Sequence, residues 1–190
     1  LAIWLPIVGA MVVLSTGSDR NAGLARVLAL LVAVAGFLVT LPLYFHFDRS
    51  SSAMQFVEQV PWIAQYNINY FLGVDGISVL FLLLNSFITI MVVLAGWRVI
   101  EKKVAQYMAA FLVMSGLMNG IFCALDGVLF YVFFEASLIP MYLIIGVWGG
   151  PNRVYAAFKF FLYTLFGSLL MLLALIYLFL QSGSFNILDW

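Results

Sequence analysis

Long apolar runs alternate with short polar connections along this chain, and the lengths of the runs carry the first prediction. A helix crossing the ~30 Å hydrocarbon core of a bilayer needs ~20 apolar residues at a rise of 1.5 Å each. Six blocks fit or approach that description: 1–14, 24–47, 72–97, 104–124, 127–148 and 154–180. The first, LAIWLPIVGAMVVL, is the shortest and is read as a span whose start has been cut away. It is not read as a signal peptide, because no basic stretch precedes it and five more runs follow. A polar, proline-containing connection, DRSSSAMQFVEQVPWIAQYNINY, separates the second and third runs. The segment GGPNR separates the last two, since Gly and Pro stop one helix and Asn can cap the next. No internal repeat relates the six. The expected fold is all-α, a polytopic integral membrane helix bundle.

Composition supports the same class. Of 190 residues, 66% are hydrophobic and 8% charged, against about 25% charged in a soluble domain. So few charges cannot coat a globule with water-compatible surface, and the lipid bilayer is the expected surround. A net charge of zero argues against a nucleic-acid partner. The single cysteine, Cys123, lies inside an apolar run and offers neither a disulfide framework nor a cluster for iron–sulfur or zinc. His46, the one histidine, stands near the end of a run with no second ligand nearby, and is read as interfacial. There is no GxGxxG segment for a dinucleotide.

The distribution of bases orients the bundle. Connections on one side carry Arg20, Arg26, Arg98, Lys102, Lys103 and Arg153, whereas the other side carries Arg49 alone. The acids Asp48, Glu58, Asp75, Asp126 and Asp189 fall on the second side. Basic residues mark the cytoplasmic face, so the N-terminus is expected outside and the 98–103 connection inside (cytoplasm or matrix).

Two ionisable groups remain well inside predicted spans, Glu135 and Lys159. Insertion scales charge such groups about 2.5–3.5 kcal/mol each at a helix centre. Glu135 is nine residues past Asp126, hence ~13 Å in from the outer face, and Lys159 is six past Arg153, ~9 Å in from the inner face. In a core of ~30 Å their depths differ by ~8 Å, which suits stepping stones better than a direct ion pair. Two readings of Glu135 follow: a carboxyl that loads and unloads a proton, as a relay requires, or a polar group that bonds helices together. Lys159 carries the same pair, with the addition that its long side chain can reach the interface. Tyr131, Ser137 and Tyr142 flank Glu135 as supporting polar groups. Tyr155, Lys159 and Tyr163 share one face of the sixth span at i, i+4 and i+8. On the fourth span Ser115, Asn119 and Cys123 repeat at the same spacing, interleaved with Gly116 and Gly120, a stripe read mostly as close helix packing. Pro140, five residues after Glu135, cannot bond the carbonyl of Ala136 and predicts a kink one turn beyond the acid.

The stretches FLGVDGISVLFLLL and FYVFFEASLIPMYLIIGVWGGPNRVYAAFKFFLYTLFGSLLML closely resemble the proton-pumping NADH–quinone oxidoreductase family (respiratory complex I), at the chain M branch of its antiporter-like membrane subunits. The resemblance runs over essentially the whole chain and is densest over 70–175. It implies the first six of about fourteen spans, so that 1–190 form the N-terminal part of a single antiporter-like membrane domain. It implies that Glu135 matches the family's fifth-helix glutamate, which works with a lysine on the seventh helix, and that Lys159 matches a sixth-helix lysine near that proton route. The implied activity is that of a translocase subunit: this chain contributes a proton path, with no cofactor of its own. NADH, FMN, iron–sulfur clusters and quinone are then bound by other subunits of the complex, and the other membrane subunits are its partners. The implied location is a bacterial inner membrane, ahead of a mitochondrial one. A subunit of a multisubunit cation/proton antiporter, which shares the glutamate and the helix pattern, stays open as the alternative.

Overall fold

The computed structural model describes residues 1–17, 21–51 and 53–190. Arg20, counted above among the bases of one side, and Ser52 of the polar connection lie outside the described residues. The helices are α1 Trp4–Ser15, α2 Ala22–Phe45, α3 Gly76–Val99, α4 Val104–Cys123, α5 Gly127–Trp148 and α6 Arg153–Ser182. Among the described residues α2 to α6 are long and apolar enough to cross a membrane, and α1 is a shorter apolar helix. The connection before α3 is not plain loop: β1 Gln55–Ile63 and β2 Ile68–Val74 form an antiparallel hairpin. The third run therefore gives up residues 72–74 to β2, and its helix begins at Gly76.

The chain divides into two compact units, residues 1–50 with 76–119, and residues 51–75 with 120–190. In the first unit the buried positions of α2 are Ala25, Ala29, Ala33, Gly36 and Thr40. This stripe of small residues lets neighbouring helices approach closely, which replaces the hydrophobic driving force that lipid does not supply. The buried positions of α3, Val79, Leu82, Ser86, Thr89, Val93 and Gly96, step by three and four and so make one face. Val13 of α1, Val93 of α3 and Val104, Met108 and Leu112 of α4 complete the core. The approach is closest at Gly9, where an added Cβ would run into the Val32 side chain, and close also at Gly116, where it would lie 2.6 Å from both the Ile3 carbonyl oxygen and Ile7 of the first helix.

Polar groups inside this unit are paired with one another. The Asn85 amide donates to the Ser115 carbonyl at 2.9 Å and to Asn119 Oδ1 at 2.8 Å. Thr89 Oγ1 lies 2.8 Å from Ser115 Oγ, and the Asn119 amide donates to the Ala2 carbonyl at 2.9 Å. The Ser115–Asn119 part of the α4 stripe is thus helix-bonding and packing, as its spacing suggested. Arg26, assigned by sequence to a connection, lies in the first turns of α2 and donates to the Ile100 carbonyl at 2.9 Å.

In the second unit β1 is exposed along nearly its whole length while β2 is buried at Ile68 and from Phe71 to Val74. β2 docks on the short connection between α4 and α5: the Leu125 N–H donates to the Phe71 carbonyl at 2.9 Å. The segment after α6 closes on the same connection, Gly127 N–H donating to the Phe185 carbonyl at 2.8 Å and Ile187 N–H to that of Leu125 at 2.9 Å. Gly120 fits under the Phe133 ring, where a Cβ would come within 2.7 Å. Cys123 is buried and free.

Candidate functional site

Helix α5 carries the site, and its first turn is fixed by a buried carboxylate. Asp126 is 1% exposed. Its Oδ1 accepts from the Val128 and Leu129 N–H groups at 2.9 and 3.1 Å, which caps the helix, and its Oδ2 accepts from the Asn69 N–H of β2 at 3.0 Å. One side chain thereby answers two of the N–H groups a helix start leaves without partners and holds the hairpin against α5. The charge also suits the positive end of the helix dipole. The sequence reading counted Asp126 only among the outer acids; an Asp directly before an apolar helical run was the signal for this cap.

Glu135 follows nine residues on, with Phe133 buried beside it and the buried Pro140 one turn beyond. Its Oε1 is buried and accepts no hydrogen bond from the described residues. Tyr131, one turn earlier on the same face, interacts through its hydroxyl with the Glu135 carboxyl and also with the hydroxyl of Ser168 on α6. Ser168 is 2% exposed and donates to the Leu165 carbonyl at 2.9 Å. Tyr131, Glu135 and Ser168 therefore form one polar cluster between α5 and α6. Ser168 was not singled out from the sequence. Its signal was a lone hydroxyl in the middle of an apolar run, LFGSLLML, which by itself is common in membrane helices.

The remaining candidates sit elsewhere. Ser137 turns its hydroxyl back on its own helix, donating to the Phe134 carbonyl at 2.7 Å. Tyr142 packs edge-on against Phe158 and Phe161 of α6, with ring centroids 5.8 and 5.6 Å away. Tyr155, Lys159 and Tyr163 do share a face of α6, and that face is exposed. The Lys159 ammonium lies 5.9 Å from the Tyr155 ring centroid, a cation–π contact, and makes no ion pair with Glu135 among the described residues. The two groups placed at different depths by the sequence are thus held in separate local environments.

Comparison with known proteins places the chain in a family. The amino-terminal family of NADH-ubiquinone oxidoreductase chain 4 matches residues 1–124, and the NADH:quinone oxidoreductase/Mrp antiporter transmembrane family matches residues 124–189. NADH-quinone oxidoreductase subunit M of Rhodobacter capsulatus is 50% identical over 190 residues, covering 97% of this chain and 36% of the relative. A chain of respiratory complex I from Thermus thermophilus, solved with bound NADH, superposes with a TM-score of 0.86 at 34% identity, covering 100% of this chain and 38% of that one. A chain of the Mrp complex from a Dietzia species superposes with a TM-score of 0.79 at 18% identity, covering 98% of this chain and 20% of that one; that likeness concerns the fold alone. The chain thus spans between a third and two fifths of the length of the first two. Over its whole length it is a multi-pass membrane chain that belongs to the NADH-quinone oxidoreductase chain 4/subunit M family.

Proposed function

We propose that this chain forms part of a proton-translocating path in an NADH–quinone oxidoreductase, with Glu135 as the group that loads and releases the proton. The observation that carries the reading is the Glu135 carboxyl itself. It stands in the middle of a membrane-length helix with one oxygen buried and unpaired among the described residues and the Tyr131 hydroxyl, itself beside that of Ser168, to one side. The free energy of a buried carboxyl depends sharply on whether it holds a proton, and that dependence is what a proton-loading site uses. Tyr131 orients the carboxyl, and with Ser168 behind it offers hydroxyls along which a proton can pass. Lys159 and Tyr155 make a second station on α6, reached through water or through a neighbouring side chain.

In this reading residues 1–190 are the N-terminal part of one antiporter-like domain, and the chain works as a translocase subunit beside other membrane subunits. NADH oxidation and quinone reduction occur in other subunits, which hold the redox cofactors. The excess of bases on one set of connections supports an N-terminus outside, and the likeness to subunit M of Rhodobacter capsulatus supports a bacterial inner membrane. The test is a Glu135→Gln variant of the protein in its native assembly, studied in inverted membrane vesicles. Quinone-dependent NADH oxidation and the associated pH gradient are measured together. The expected result is normal assembly with proton pumping largely lost. Normal pumping in that variant overturns the role of Glu135, and sodium-dependent proton exchange without NADH-driven pumping would move the chain to the antiporter reading.

A further inference from the structure

A groove between α2 and α3 has no place in the proton path. It has a volume of about 460 Å³ and is lined by Leu30 of α2 and by Leu94, Ala95, Trp97 and Arg98 of α3. This lies within the roughly 300–1,000 Å³ of ordinary ligand pockets. Its walls grade along the membrane normal. Leu94 lies one turn, or about 6 Å, deeper than Arg98, and Leu30 faces it from α2. Trp97 is partly buried against the core of the unit, and Arg98 is exposed in the last turn of α3. An apolar floor, an indole at the rim and a cation at the mouth repeat the sequence of layers that a lipid presents: acyl chain, glycerol region and headgroup.

The charge at the mouth is uncompensated. Arg98 makes no hydrogen bond or ion pair among the described residues, and its planar guanidinium suits two-point binding of a phosphate. Arg26 precedes Leu30 by one turn on the same face of α2. Its Nε is buried with no partner although its terminal nitrogen is engaged by the Ile100 carbonyl. One guanidinium whose donors are free among the described residues, that of Arg98, and a second cation, Arg26, thus stand at one end of α2 and α3. Basic groups between membrane helices at the positively charged face attract anionic headgroups.

We propose that the α2–α3 groove seats one anionic phospholipid, with its phosphate on the Arg98 guanidinium and an acyl chain along Leu30 and Leu94. Trp97 is a built-in reporter for it. The protein in its native assembly is reconstituted in phosphatidylcholine vesicles containing a minor fraction of lipid brominated on the acyl chains, either phosphatidylglycerol or phosphatidylcholine. The emission lost in a Trp97→Phe variant isolates the signal of this residue. Half-quenching of that signal is expected at an about fivefold lower mole fraction of the brominated phosphatidylglycerol, the factor one basic residue contributes at an anionic surface. Arg98→Gln is expected to abolish the preference and Arg98→Lys to keep most of it. Equal quenching by the two lipids would reduce the groove to ordinary annular contact and overturn the proposal. Protection from both would mean that protein covers this face, with the same consequence. Loss of the preference on adding inorganic phosphate, but not chloride at matched ionic strength, would assign the cation to a free anion and equally overturn it.

Discussion

Replacing Asp126 by alanine is expected to loosen α5 at its root and release the hairpin at the same time. The structure gives the parts of the cost. Two bonds to Val128 and Leu129 form the helix cap, and losing a cap to alanine costs about 1 kcal/mol. The third bond holds the Asn69 N–H, and a hydrogen bond to a charged group contributes about 1.5–3 kcal/mol. Because the site is 1% exposed, water cannot simply take over these donors, and the sum comes to about 2.5–4 kcal/mol. Asp126→Asn keeps a carbonyl oxygen for the cap but turns an NH2 group towards the Asn69 N–H, so it should lose mainly the third bond, about 2 kcal/mol. The assay is amide hydrogen exchange of the reconstituted protein, read at peptides covering 68–74 and 127–133. At about 1.4 kcal/mol per factor of ten, alanine should speed exchange about tenfold to a hundredfold at 68–74 and about fivefold at 127–133 if each opens locally. Asparagine should speed the first much more than the second. Equal acceleration of both peptides by asparagine would show that cap and hairpin are not separately held. Unchanged protection of 68–74 in the alanine variant would refute the reasoning altogether.

Two further outcomes follow from the packing. Ser168→Ala removes the α6 hydroxyl beside Tyr131 without opening a large cavity, so assembly should persist while the pH profile of proton pumping shifts. Ser168→Thr should restore that profile, and an unchanged profile in the alanine variant would reduce Ser168 to packing. Gly116→Ala should destabilise the first unit by about 1–3 kcal/mol, the usual cost of overpacking, because its Cβ would meet the Ile3 carbonyl and Ile7 at 2.6 Å. Gly167→Ala, with nothing within 4 Å of its Cβ, should instead stabilise α6 by up to about 1 kcal/mol through helix propensity. Thermal unfolding of both variants in one detergent decides whether contact distance governs the sign.

Helices α2 to α6 were legible because lipid allows few alternatives: a backbone crossing it must bond internally, so a long apolar run reads as a helix. The hairpin did not announce itself for the complementary reason. β1 is exposed along nearly its whole length and so shows no alternation of apolar and polar positions, the pattern by which a half-buried strand is recognised. What makes it a strand is β2, and what places β2 is its docking on Leu125 and Asp126, more than fifty residues away in the chain. The site divides along the same line. Glu135 stood out because a single carboxylate in a long apolar run has a cost that demands a reason. Ser168 did not, because a hydroxyl in a membrane helix can satisfy itself on its own backbone, as Ser137 does. Whether such a hydroxyl also faces a neighbour depends on how each helix is turned about its axis. For α5 and α6 that turn comes from the aromatic packing of Tyr142 on Phe158 and Phe161 and from the buried positions Ala157, Ser168 and Leu175. Spacing along α6 correctly placed Tyr155, Lys159 and Tyr163 on one face, but it could not tell which way that face points. Cost is a property of a residue in its own segment and is readable from sequence; partnership belongs to two segments and needs the fold.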